Sequence, residues 1–409
     1  MKKILSHSQI NNCKSLVISG SKSESNRLLI LQQLFPQLHI KNLSDSDDVC
    51  AMVNALKSTT EEVVDIHHAG TTMRFLTAYY SLCTNRSLVL TGSKRMQERP
   101  IGVLVDALRQ LGAEISYKGA DGYPPLRIKG HLSEGGRVVL PANISSQYIT
   151  ALLLVGTHFK QGVEIELVGD ITSRPYIEMT LSLLNQLGVE TFFEGNTIVA
   201  KQLEKPLKNS FTVESDWSSA SYFYSIIALS PVGTTMRLSS YKENSLQGDS
   251  NVAKLYARLG VETTFLEDDC IALQKVEKEL SKFSADLIET PDLAQTIAVT
   301  CFGLGVECEL KGLHTLKIKE TDRLVALQNE LTKLGAVITV TDESLFINSS
   351  QVINSGIAIE TYQDHRMAMA FAPLALKTDI VILEAEVVSK SFINFWDCLT
   401  ELGFNTAEI

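Results

Sequence analysis

Seven cations and two carboxylates of this chain sit where they could hold and rework a small anion. The cations are Lys22, Arg27, Arg95, Lys319, Arg323, Arg366 and Lys390; the acids are Asp292 and Glu320. Four of them, Lys22, Arg27, Asp292 and Arg366, belong to short polar runs that open an apolar helix. Gly20-Ser21-Lys22-Ser23-Glu24-Ser25-Asn26-Arg27 follows the apolar run Leu16-Val17-Ile18, read as a strand, and leads into the helical Leu28–Leu34. A helix start offers free N–H groups and a positive dipole end, which favour an anion. The competing reading is that Ser23 or Ser25 only caps the helix. Gly70-Thr71-Thr72-Met73-Arg74 is a second such start, where glycine lets a ligand approach the backbone. Arg95-Met96-Gln97-Glu98-Arg99-Pro100 is either a guanidinium fork or a surface ion pair. Ser145-Ser146-Gln147 and Ser173-Arg174-Pro175-Tyr176 offer hydroxyls that suit a phosphate and a polyol ring, or serve as caps. Asp216-Trp217-Ser218 is a further cap-like start. Asp292 stands at a helix start that favours its ionised form. Lys319-Glu320-Thr321-Asp322-Arg323 is a solvated charge run or a carboxylate base held beside cations. Asp364-His365-Arg366 heads a buried apolar helix and therefore needs partners. No metal-ligand spacing, P-loop or G-x-G-x-x-G is present, so neither a metal nor a cofactor is expected. Many cations and two acids imply two small anions joined by acid–base catalysis.

The rest of the chain must position these groups. Its 409 residues exceed one typical core, so two domains are expected. A net charge of -10 argues against nucleic-acid and anionic-membrane partners; any bound anion needs a local cluster of cations. No apolar run reaches the ~18–20 residues of a membrane span, and the first residues do not read as a signal peptide. Seven scattered cysteines without a C-x-x-C pair fit reduced thiols in a cytoplasmic protein.

Two phrases alternate along the sequence. One is an amphipathic helix closed by Leu-Gly, at Leu111-Gly112, Leu187-Gly188, Leu259-Gly260, Leu334-Gly335 and Leu402-Gly403, with a degraded copy at Ala51–Lys57. The other is the hydroxyl-rich start running into an apolar helix. Its copies begin near Ser23, Gly70, Ser145, Ser218, Asp292 and Asp364, the later ones about 75 residues apart. The apolar helices should be buried and the amphipathic ones outside. Six units then divide into a domain over 21–213 and a second over 214–409, to which 1–20 contributes a strand. The buried helices would aim their N-termini at a common cleft.

These motifs resemble the 5-enolpyruvylshikimate-3-phosphate synthase family. The resemblance spans the chain. It rests on Gly20–Arg27, Ala69-Gly70-Thr71-x-Met73-Arg74, Arg95-Met96-x-Glu98-Arg99-Pro100-Ile101, Ser145-Ser146-Gln147, Pro291-Asp292, Lys319–Leu324 and Asp364–Met369. It implies a mixed α and β fold of two domains, each of three βαβαββ units. It implies transfer of the enolpyruvyl group of phosphoenolpyruvate to the 5-hydroxyl of shikimate 3-phosphate through a tetrahedral intermediate, without a cofactor, in a monomer. Carried over by motif, Lys22, Ser23, Arg27, Ser145, Ser146, Gln147, Ser173, Tyr176, Asp292 and Lys319 would hold shikimate 3-phosphate. Lys22, Gly70, Arg95, Gln147, Arg323, Arg366 and Lys390 would hold phosphoenolpyruvate. Asp292 would take or hold the 5-hydroxyl proton, and Glu320 or Lys22 would donate one to the methylene carbon. The resemblance also implies inhibition by glyphosate, with open space beside Gly70 to receive it. The chain departs from the family's pattern in a compressed Leu34–Asp65 region, in His67-His68, in Phe75 where many members have proline, and in Ser391. The sister transferase acting on UDP-N-acetylglucosamine carries Lys-Asn and a loop cysteine. Here the pair is Lys22-Ser23 and the Arg95–Pro100 loop has no cysteine. A non-catalytic anion-binding paralogue is the other alternative.

Overall fold

All six hydroxyl-rich starts open a helix with a buried body. A computed structural model describes residues 1–409 except 11, 13, 59–61, 84–85, 131–133, 144, 172–173, 351 and 409. The helices are Lys22–Leu34, Gly70–Leu82, Ser146–Gly156, Trp217–Leu229, Ala294–Leu304 and His365–Phe371. Leu28, Ile30 and Leu31, like Ile226 and Ile227, are fully buried. The last helix was expected to run to Leu376. It tightens to a 3-10 turn at Ala372–Leu376, where Pro373 has no N–H to continue the α ladder.

The amphipathic phrases form Asp47–Lys57, Gly102–Gln110, Arg174–Leu187, Val252–Ala257, Arg323–Lys333 and Phe395–Leu402. Each closing glycine (Gly112, Gly188, Gly260, Gly335, Gly403) takes a positive φ of 77–106°, which a Cβ would oppose.

Strand pairing repeats one rule. In each four-stranded sheet a parallel pair comes first, followed by two antiparallel neighbours. Lys282–Asp286 runs parallel to Glu307–Lys311, which pairs antiparallel with Leu345–Ile347, and that in turn with Ile338–Val340. With helices Ala294–Leu304 and Arg323–Lys333 interposed, this stretch reads strand-helix-strand-helix-strand-strand. The described residues form five such sheets. The sixth has only the parallel pair Ser210–Thr212 with His39–Lys41. The compressed Leu34–Asp65 region leaves no length for two more strands.

The chain divides into two compact units, Gly20–Val213 and Met1–Ser19 with Glu214–Ile409. Gly20 falls with the first unit, one residue earlier than expected. A Cβ there would meet the Asn42 carbonyl oxygen, so glycine is required. In the second unit, Lys2–Ser6 lies between Ile380–Leu383 and Asn405–Glu408. Lys14–Leu16 runs parallel to Thr235–Ser239. The expected strand stops short of Val17, which is 72% exposed.

Candidate active site

In the second unit, three helix starts bring their charges together. Asp292 lies in the turn Pro291–Leu293 just before Ala294–Leu304. It caps nothing there. Its Oδ1 accepts from Arg323 Nη1 at 2.9 Å and its Oδ2 from Arg366 Nη2 at 2.9 Å. Lys319 Nζ stands 3.6 Å from Oδ1. Arg323 also donates to Glu320 at 2.9 Å and to Asp364 at 2.7 Å. Asp364, fully buried, caps its helix by accepting from the Arg366 N–H at 2.9 Å. Arg366 further donates to Ser218 Oγ and Tyr222 Oη at 3.2 and 3.4 Å. Lys390 Nζ donates to the Gln363 carbonyl at 2.7 Å.

Each carboxylate thus faces guanidinium groups, as a buried charge must. Burial alone would push the Asp292 carboxyl upward, but Arg366, Lys319 and Arg323 outweigh it and hold the group well below the usual carboxylate range. Burial likewise works against charge on Arg366, yet Asp292, then Tyr222, raises it well above the ordinary arginine value.

The Gly20–Val213 unit carries a second cluster. Ser21, not Ser23 or Ser25, caps Lys22–Leu34, accepting from the Glu24 N–H at 3.4 Å. That leaves Ser23 uncommitted as a cap. Lys22 Nζ stands 3.4 Å from Asp48 in the first turn of Asp47–Lys57. Arg27 is 3% exposed and forms no ion pair among the described residues. It donates to Thr180 Oγ1 at 2.8 Å, to the Ser23 carbonyl at 2.7 Å and to the Tyr176 carbonyl at 3.1 Å. It lies 5.8 Å over the Phe75 ring. Burial lowers its pKa to about 10, only partly opposed by Tyr176 and Glu24. A buried cation held by hydroxyls, carbonyls and a ring face is prepared for an anion.

Ser145 caps Ser146–Gly156, accepting from the Gln147 N–H at 3.4 Å. Gln147 Nε2 donates to Thr71 Oγ1 at 3.1 Å, beside Gly70. The expected open space at Gly70 is filled. A Cβ there would lie 2.7 Å from Arg99 Nη1 and 3.2 Å from Arg74 Nη1. Arg74 folds back onto the Gly70 and Pro100 carbonyls at 2.9 and 3.3 Å. Arg95 is not gathered here: it pairs with Glu98 at 3.2 Å, both half-exposed. Ser173 lies outside the described residues.

Asp364, singled out in the sequence as an acid entering a buried helix, finds Arg323 as its partner. Sequence reasoning missed Asp48 and Arg99 as site-shaping groups. Asp48 had only its place in an acidic helix start, and Arg99 was indistinguishable from Arg95 in its loop.

Repeated βαβαββ modules whose helix starts gather cations around a carboxylate define an enolpyruvyl-transferase architecture. The fold is shared by a solved EPSP synthase from Acinetobacter baumannii, with TM-score 0.80, 21% identity and all of both chains covered. It is also shared by the enolpyruvyl transferase NikO from Streptomyces tendae, with TM-score 0.71, 14% identity, and 99% of this chain and 98% of that one covered. Residues 57–399 match the family model for EPSP synthase (3-phosphoshikimate 1-carboxyvinyltransferase), and the chain belongs to that family. It is 44% identical over 394 residues to a 3-phosphoshikimate 1-carboxyvinyltransferase of Bacteroides fragilis, covering 95% of each. It is 37% identical over 420 residues to one of Pasteurella multocida, covering 94% of each.

Proposed function

We propose that this chain is a 3-phosphoshikimate 1-carboxyvinyltransferase. It moves the enolpyruvyl group of phosphoenolpyruvate to the 5-hydroxyl of shikimate 3-phosphate and releases phosphate, a step of the shikimate pathway to aromatic amino acids. The observation that carries the reading is Asp292 held between Arg366, Arg323 and Lys319, in a chain so similar to the named relatives. Both substrates are small molecules. Shikimate 3-phosphate takes Lys22, Ser23, Arg27, Ser145, Ser146, Gln147, Ser173, Tyr176, Asp292 and Lys319. Phosphoenolpyruvate takes Lys22, Gly70, Arg95, Gln147, Arg323, Arg366 and Lys390. The protein works as a cytoplasmic monomer. No helix among the described residues is long and apolar enough to cross a membrane.

In the addition step, the 5-oxygen bonds to C2 of phosphoenolpyruvate, and the methylene carbon gains a proton from Glu320 or Lys22. The hydroxyl proton passes to Asp292. In the elimination step, the bond from C2 to the phosphate oxygen breaks, the proton held by Asp292 leaves with the phosphate, and the new methyl group returns a proton to the group that donated it as the double bond re-forms. Asp292 is a weak base while three cations hold it. A bound anion engaging Arg366 and Arg323 relieves that grip and raises its proton affinity. Phosphoenolpyruvate, which takes Arg366 and Arg323, therefore arms the base for the 5-hydroxyl of shikimate 3-phosphate.

Phosphate release measured with both substrates tests the reading. Release that needs shikimate 3-phosphate supports it. Release with UDP-N-acetylglucosamine instead assigns the sister activity, and none with either acceptor leaves an anion-binding paralogue.

A further inference from the structure

The anion-binding groups Arg366 and Lys390 meet a short, strained stretch of chain. Tyr362 and Gln363, neither of them glycine, both take left-handed conformations, with φ 54° and 57°. The next residue is Asp364, which caps the Arg366 helix and grips Arg323. The Gln363 carbonyl receives Lys390. A turn of this kind persists only where its surroundings hold it. One of its holders is Glu330.

Glu330 is seven residues beyond Arg323 on helix Arg323–Lys333, two turns along the same face. It is fully buried. Its Oε1 accepts from the Tyr362 hydroxyl at 2.7 Å, and its Oε2 from the Glu360 N–H at 3.1 Å. Lys333 Nζ supplies the balancing charge at 2.9 Å from both oxygens. On the other side of the turn, Glu384 accepts from Gln363 Nε2 at 2.7 Å and from Thr361 Oγ1 at 3.3 Å. Helix Arg323–Lys333 therefore grips one stretch at two points, through Arg323 to Asp364 and through Glu330 to Tyr362. Neither Glu330 nor Tyr362 was legible in the sequence as anything but an outer-helix acid and a loop aromatic.

We propose that Glu330 and Tyr362 are positioning residues for the transfer reaction: their hydrogen bond fixes the left-handed turn that sets Arg366 and presents the Gln363 carbonyl to Lys390. The inference rests on the assignment of Arg366 and Lys390 to phosphoenolpyruvate. Neither residue need touch a substrate. Loosening the pair spreads Arg366 over several orientations, so phosphoenolpyruvate affinity falls before turnover does.

The test uses the full chain with Tyr362→Phe, Glu330→Met and both together, each shown folded by circular dichroism. In Tyr362→Phe the KM for phosphoenolpyruvate should rise about tenfold, the effect of one lost charge-assisted hydrogen bond, while kcat changes less than threefold. The double variant should be no worse than Glu330→Met, because the bond that Tyr362→Phe removes is already lost there, together with the Glu360 and Lys333 contacts. Amide exchange at Asp364 and Arg366, measured without substrate, should quicken in Tyr362→Phe. Unchanged exchange at those amides in the folded Tyr362→Phe chain overturns the proposal, as does an unchanged KM in an active enzyme. A wild-type chain with no phosphate release would defeat the functional reading instead, and the exchange comparison would still decide this one. Should Glu330→Met fail to fold, Tyr362→Phe alone carries the decision.

Discussion

Replacing Asp292 by asparagine should separate its two duties. The substitution keeps an acceptor oxygen and the side-chain shape but removes the charge that Arg366, Arg323 and Lys319 share. Arg323 retains Asp364 and Glu320. Among the described residues the Arg366 guanidinium loses its only carboxylate partner and keeps Ser218, Tyr222 and the Asp292 carbonyl. Breaking a buried ion pair costs about 3–5 kcal/mol. The Asp292 side chain is 18% exposed, and water softens the loss, so about 2–3 kcal/mol is expected. For a unit of this size that lowers the melting temperature by roughly 4–12 °C. The sign with pH follows from the depressed native pKa. Such a carboxylate stabilises fully above its unfolded value near ~3.9, and the contribution fades as pH falls toward the native value. The gap between wild type and variant should therefore be widest near neutrality and narrow on acidification below about pH 4. Turnover should fall roughly 10²–10⁴-fold, as for loss of a general base. Scanning calorimetry across pH, with phosphate release at pH 7, measures both. A variant with wild-type melting at pH 7 and turnover within tenfold of wild type would refute the reasoning.

Other outcomes can be stated briefly. Glyphosate should compete with phosphoenolpyruvate; in Gly70→Ala the Arg99 guanidinium must move off the new methyl group, which should weaken phosphoenolpyruvate a few-fold and glyphosate, the longer ligand, more. Inhibition titrations at several phosphoenolpyruvate concentrations read both, and equal weakening would show that the added methyl does not discriminate by length. In Phe75→Leu the ring beneath Arg27 is lost. Shikimate 3-phosphate should then bind about 2–10-fold more weakly while phosphoenolpyruvate is little affected; calorimetric titration with each ligand decides it.

The sequence exposed whatever depends on local pattern. The five Leu-Gly stops were legible because a left-handed helix end selects glycine at a fixed place. The apolar helices were legible because burial on every side leaves no polar stripe. The cluster of Asp292, Arg323 and Arg366 could be anticipated because charges that enter buried helices must find one another. Contacts set by side-chain direction were hidden. Nothing in Arg95–Pro100 says that Arg99 turns over Gly70 while Arg95 pairs with Glu98. Nothing around Ser21–Ser25 says which serine caps. Nothing about Phe75, where many family members have proline, says that it lies beneath a buried guanidinium.

Strand Lys2–Ser6 has a consequence for how the protein is made. It sits between Ile380–Leu383 and Asn405–Glu408, and Lys14–Leu16 beside it in sequence waits for Thr235–Ser239. The Gly20–Val213 unit is one continuous stretch and can close as soon as it leaves the ribosome. Strand Lys2–Ser6, although synthesised before that unit, has no partner until Ile380–Leu383 has emerged. Its run of Ile4 and Leu5 stays exposed through that interval, with the lysines Lys2 and Lys3 before it to discourage premature pairing with other chains.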